Sequence, residues 1–143
     1  MRRLFFPLLA FAALTSACEF HTLDNGSLDG FWQLSRIDTL SGGSCDMVPH
    51  RIFWSVQARL LQVSDLNYLY DEYILRFEHA DGTLRLYDPY CVDHTGSDIA
   101  VTDAADLQLY GLNALDETFQ VECLDRKQML LKGSSLRLHF NKY

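Results

Sequence analysis

The chain has 143 residues, with 12 Lys and Arg against 19 Asp and Glu and a formal charge of −7. So acidic a balance repels phosphate backbones and anionic surfaces, which excludes nucleic acid as a partner. The length suits one domain rather than two, and a domain of this size buries roughly two-thirds of its unfolded surface, so it stands without staples.

Arg2 and Arg3 precede an apolar run over residues 4–14, and Thr15-Ser16-Ala17 narrows to small side chains before Cys18. This is the layout of a secretory signal, too short to span a bilayer. With cysteine at the cut it resembles a bacterial lipoprotein signal, which implies a diacylglycerol thioether on Cys18 and a membrane-held mature chain. The alternatives are ordinary secretion with a free Cys18 thiol, or a retained anchor. Removing the leader leaves ten basic against 19 acidic side chains, a formal charge of −9. Residues 19–28 lack a period and contain the turn signal Asn25-Gly26. The expected divisions are thus a removed signal over 1–17, a lipidated flexible tether over 18–28 and one domain over 29–143. The expected address is the periplasmic face of the outer membrane.

Beyond the tether, alternation of apolar and polar residues dominates. Residues 31–38 form the first run. In residues 51–63, Ile52, Trp54, Val56, Ala58 and Leu60 share one face. Tyr73, Leu75 and Phe77 alternate with Glu72, Arg76 and Glu78, and Asp81-Gly82 leads by a hairpin signal into Leu84 and Leu86. Three further runs lie over 118–123, 128–132 and 135–141, the last with Leu136, Leu138 and Phe140 in phase. About seven antiparallel strands result. A meander with one apolar face must close or leave open edges. The expected fold is all-β: an up-and-down barrel of seven to eight strands, with a β-sandwich as the alternative.

Residues 88–116 are long for a connection in a compact domain. Within them, 103–111 predicts one short helix, with Asp103 as cap, Asp106 in the first turn and Gly111 at the far end. Leu107 and Tyr110 share one face. The segment is expected to lie across one mouth of the barrel, as a plug over the core or as a lid.

Gly30-Phe31-Trp32 resembles the Gly-x-Trp opening of lipocalins. Residues 28–143, including Arg51-Ile52-Phe53-Trp54-Ser55, Leu75-Arg76-Phe77-Glu78-His79 and Leu136-Arg137-Leu138, are similar to small lipocalin-like domains on envelope lipoproteins of Gram-negative gut bacteria. The resemblance implies that Gly30 permits a tight entry and that Trp32 closes one barrel end. It implies a basic residue of the last strand stacked on Trp32, a cation–π contact for which Arg137 is the candidate. It also implies an eighth strand, hidden in residues 98–115 unless the barrel is incomplete.

Chemistry-bearing residues are scattered. Cys91-x-x-His94, near Asp88, Asp93 and Asp98, offers two ligands, where structural zinc needs four and catalytic zinc three. Neither metal nor cofactor is expected. There is no Gly-x-Ser-x-Gly turn, His-Glu-x-x-His helix or phosphate-cradling loop, and no enzyme activity is expected. His79, in phase with Tyr73, Leu75 and Phe77, is expected to face inward, as is Cys123 beside Phe119 and Val121. The pairing of Cys45, Cys91 and Cys123 stays open. Trp54, Tyr73 and Phe77, with Leu107 and Tyr110 above them, are the candidate lining of a small apolar ligand site. If those side chains instead fill the core, the domain is a non-catalytic envelope interaction module, or a periplasmic inhibitor presenting loops to a protein partner.

Overall fold

The computed structural model describes residues 24–143, so the expected signal segment, Cys18 and the start of the expected tether lie outside the described residues. Ten strands form one antiparallel sheet: β1 (Gly30–Thr39), β2 (Ser44–Asp46), β3 (Ile52–Gln57), β4 (Leu60–Asp65), β5 (Tyr73–Ala80), β6 (Thr83–Cys91), β7 (Ile99–Ala100), β8 (Glu117–Leu124), β9 (Gln128–Lys132) and β10 (Leu136–Lys142). Eight of them pair in the order β1, β3, β4, β5, β6, β8, β9, β10. The last then pairs back on the first, from Trp32 opposite Lys142 to Thr39 opposite Leu136. That closure makes a barrel and sets aside the sandwich, because no long edge remains. β2 continues along the edge of β1 beyond β3, and β7 along the edge of β6 beyond β8.

The eighth strand does not come from residues 98–115. The run over 51–63 folds back on itself at Ala58 and Arg59, so that Gln57 pairs with Leu60 and Ile52 with Asp65. Ala58 adopts φ 55 to make the turn. The reversal inverts the phase: Leu61 and Val63 point inward, while Leu60, expected beside Trp54, is 48% exposed. Ala58-Arg59 contains no glycine, asparagine or proline, so the turn left no compositional mark.

A second slip occurs in β8, where the register shifts between Val121 and Cys123. Past this bulge Leu124, not Cys123, packs against the core. Cys45, Cys91 and Cys123 are all free thiols. The folded unit also starts earlier than residue 29. Gly26–Leu28 form a single 3₁₀ turn, Leu28 is fully buried, and Asn25 donates from its backbone and side chain to the Asp29 carboxylate at 2.9 and 2.6 Å.

Strand direction divides the barrel into two ends. One gathers the N-terminal turn, the C-terminus and the tight connections at 58–59, 81–82 and 125–127. The other, the mouth, gathers the long connections over 40–51, 66–72 and 92–116 and the short one over 133–135.

Candidate functional site

At the closed end, Trp32 is fully buried and its indole Nε1 donates to the Leu28 carbonyl at 2.9 Å. Lys142 Nζ lies 4.5 Å above the Trp32 ring centroid and donates to the Ser27 carbonyl at 3.2 Å. Gly30, at φ 130, leaves room for this lysine, since a Cβ there would sit 2.5 Å from Lys142 Cε. The basic residue over Trp32 is therefore Lys142 and not Arg137. Alternation decides it: Lys142 continues the inward phase of Leu138 and Phe140, whereas Arg137 faces outward and donates to Glu122 at 2.7 Å.

The mouth is sealed differently. Ala104–Tyr110 form a 3₁₀ helix capped by Asp103, whose carboxylate accepts from Ala105 N at 2.9 Å, and ended by Gly111 at φ 88. Leu107 and Tyr110 of this helix, and Leu112 just after it, are fully buried. Trp54 Nε1 donates to the Tyr110 carbonyl at 3.0 Å, and the Tyr110 hydroxyl donates to the Asp71 carbonyl. The Tyr73 ring meets Tyr110 edge-on at 5.6 Å, and the Trp54 ring packs 4.6 Å from Phe140. An eight-stranded barrel is only just wide enough for its own side chains, and here they occupy it. The segment is a plug.

Of the five candidate lining residues, Trp54 and Tyr73 meet Tyr110 of the plug, and Leu107 is buried in the same core. Phe77 does not join them. It lies half-buried toward the closed end, in a surface depression with Asp24, Asn25, Ala58, Arg59 and His79. His79 is exposed rather than inward, because the end of β5 outlasts the core that would cover it.

The electrostatics of the mouth are one-sided. Burial raises the Cys91 thiol above its ordinary value, and the charges of Asp71, Asp93, Asp106 and Asp98 raise it further. A thiol held protonated in this way is a poor nucleophile. Burial likewise raises the Tyr73 and Tyr110 hydroxyls, with Asp71 among the charges acting on both. His94 turns to Glu72 at 3.9 Å. Among the described residues, no three His, Cys, Asp or Glu side chains are placed to hold a metal ion. Glu117, buried behind the plug, accepts from Asn113 N at 2.7 Å and from Ala114 N; burial raises its carboxyl above the ordinary value and those amides pull it back.

Two surface features escaped the periodicity. On the outer wall, His139 Nε2 lies 2.7 Å from Asp38, which also pairs with Arg36 at 3.1 Å and takes a hydrogen bond from Ser44. The serine faces the carboxylate and not the imidazole, so no activated nucleophile is assembled. At the mouth, the connection over 66–72 turns Tyr68, Leu69 and Tyr70 to solvent. Asp65 and Asn67, turn-forming residues at the end of an apolar run, are the sequence signal for this loop.

No curated protein matches the chain. Two solved structures resemble it. A lipocalin-like protein from Bacteroides uniformis is 19% identical with a TM-score of 0.64, over 82% of this chain and 100% of that one. An uncharacterized protein from Bacteroides eggerthii is also 19% identical, with a TM-score of 0.59 over 80% and 98%. At such identity they speak to the fold, and both agree with the barrel built above. The sequence family described as lipocalin-like domain matches residues 12–143, and the chain belongs to that family.

Proposed function

We propose that this chain is a non-catalytic interaction module of the cell envelope, anchored through lipid on Cys18 at the periplasmic face of the outer membrane and binding another protein with its barrel mouth. The observation that carries this reading is the filled interior. Trp54, Leu107 and Tyr110 are fully buried against one another's elements, and the Trp54-to-Tyr110 hydrogen bond fixes the plug. The concave features beside Leu60 and Ile74, about 310 Å³ each, are open troughs on the outer wall. Small-molecule sites bury most of their ligand, which an open trough does not do.

A small apolar ligand is the second reading. It is favoured by the aromatic set of Trp54, Tyr73 and Tyr110 under a short plug, and it requires Tyr110 to leave the core when ligand enters.

Native mass spectrometry of the protein isolated from its own host separates the two. The expected spectrum is a chain beginning at an acylated Cys18 with no small-molecule adduct. A stoichiometric adduct that disappears in Tyr110→Ala would overturn the interaction reading in favour of the ligand, and an unacylated Cys18 would remove the anchor.

A further inference from the structure

Between β4 and β5, Tyr68, Leu69 and Tyr70 are 82, 74 and 61% exposed. Single exposed apolar residues need no explanation, but three large ones in succession form a patch of the kind that marks an interaction site. The loop that carries them is held by hydrogen bonds on both sides of its tip. Asp65 accepts from Asn67 N at 2.7 Å and from Leu69 N at 2.9 Å. Asn67 Nδ2 reaches the Pro49 and His50 carbonyls, each at 3.2 Å, and Leu66 N donates to the Arg51 carbonyl at 3.0 Å. At the far side, the Asp71 carbonyl receives the Tyr110 hydroxyl from the plug.

Tyr68 sits at φ 58, a strained conformation for a bulky residue that persists only where surrounding contacts impose it. Held this way, the backbone beneath the three side chains loses little further freedom on binding, so only their rotamers remain to be ordered. The setting is acidic. Asp71 and Glu72 follow the tip in sequence, and Asp71 shares the Cys91 neighbourhood with Asp93, Asp98 and Asp106. The basic groups close by are few: Arg51, which donates to the Leu66 carbonyl at 3.4 Å, His50, whose carbonyl receives Asn67 Nδ2, and His94 beside Glu72.

We propose that residues 66–72 form a preformed docking finger that seats Tyr68, Leu69 and Tyr70 in an apolar cleft rimmed by Lys and Arg on a second protein. The acidic rim selects such a partner, because electrostatic complementarity steers encounter and like charge excludes the wrong one. A second copy of this chain would bring two acidic rims together. An anionic bilayer would meet the same repulsion. The inference rests on the interaction reading above and adds the surface and the chemistry of what it binds.

The test pans a displayed library of random peptides against the immobilised full chain, with Leu69→Asp and Tyr68→Ser variants in parallel. Circular dichroism of each variant checks that it folds, and Leu69→Ser serves in place of one that does not. Enriched peptides should combine an aromatic or aliphatic cluster with Lys or Arg. They should bind Leu69→Asp at least about tenfold more weakly, and bind the parent chain less as salt rises. Peptides that are acidic, or that bind the variants equally well, overturn the finger while leaving the interaction reading in place. A library that yields no binder, together with a small-molecule adduct in the native spectrum, removes the interaction reading itself. Sedimentation showing a dimer that Leu69→Asp abolishes, or flotation with phosphatidylcholine vesicles that Leu69→Asp abolishes, overturns the proposal in favour of a second copy or a bilayer.

Discussion

The two ends of the barrel solve one problem with different reach. Trp32 and Trp54 face each other across β1 and β3, both fully buried, and each indole donates to a backbone carbonyl at a different end. For Trp32 the acceptor is Leu28, four residues away, and for Trp54 it is Tyr110, 56 residues away. The closed end is thus sealed by its own strand entry and by Lys142, with turns of two or three residues around it. The mouth is sealed by a plug delivered from a long connection, and it leaves an apolar tip and a carboxylate-rich rim facing water. Local closure makes a rigid base. Closure by a distant segment makes a surface whose sequence is free to serve recognition, since loops on a rigid scaffold carry function.

The largest test of that contrast truncates each tryptophan. Trp54→Ala and Trp32→Ala should each lose about 3–5 kcal/mol in urea unfolding, the cost of a large aromatic removed from a packed core. The two should differ in where the native state loosens. Hydrogen exchange should quicken over 104–112 in Trp54→Ala, and over 25–30 with the end of β10 in Trp32→Ala. If both variants expose the same amides, the ends are one cooperative unit and the contrast fails.

Next in size is Gly30→Ala. A side chain at φ 130 is strained, and its Cβ would displace Lys142 from Trp32. The expected loss is about 1–3 kcal/mol. In a Lys142→Met background, the part of that loss owed to the displaced ammonium should vanish, and a double-mutant cycle reads it directly. A cost identical in both backgrounds would assign the whole effect to backbone strain.

Behind the plug, Glu117 supplies a test read in pH. Burial holds its carboxyl above the ordinary 4.5, so the folded state prefers it protonated. Its contribution is then fully present below the ordinary value and lost as pH rises through the raised folded value. Measured as urea midpoints, the stability of the parent chain relative to Glu117→Gln should be greatest in acid and shrink toward neutrality. Asp116 and Glu122 on the outer wall run the other way, because hydrogen bonds from Arg85 and Arg137 hold them low. Their share is present above the ordinary carboxylate value and lost as pH falls. The difference between parent and variant removes that common background, and a flat difference would mean that Glu117 is not desolvated.

How far the sequence carried the fold follows from which forces are local. Alternation in β1, β5, β6 and β10 was readable because each strand buries one face. Asp103 and Gly111 announced the plug because caps are made within a few residues. Lys142 was readable too, had the phase of Leu138 and Phe140 been carried one step further. What stayed hidden depends on partners far away in sequence. Phe53 sits on the outward phase of β3 yet is buried, because Phe31 stacks on it at 4.5 Å and Tyr143 closes edge-on at 5.3 Å. The docking tip at 68–70 has no periodicity at all, and its rigidity comes from carbonyls of residues 49–51. Whether aromatic residues line a cavity or fill a core is a matter of volume, and volume is set only when all eight strands are in place.

The smallest effect is expected at the turn that the alternation concealed. Ala58 holds φ 55 between β3 and β4, at the closed end, where its carbonyl accepts from Asn25 Nδ2 at 2.8 Å. A left-handed backbone costs an L-residue about 1–2 kcal/mol, and glycine avoids that while adding about 0.5–1 kcal/mol of unfolded-state entropy. Ala58→Gly should therefore stabilise the chain by about 0.5–1 kcal/mol, seen as a higher urea midpoint at unchanged slope. The sign carries the meaning. A gain says that β3 and β4 are forced together by Trp54 and Val63 on their inward faces, against the preference of the turn itself. A loss would say that Ala58 is relaxed where it stands, and that the hairpin at the closed end forms locally before the barrel closes around it.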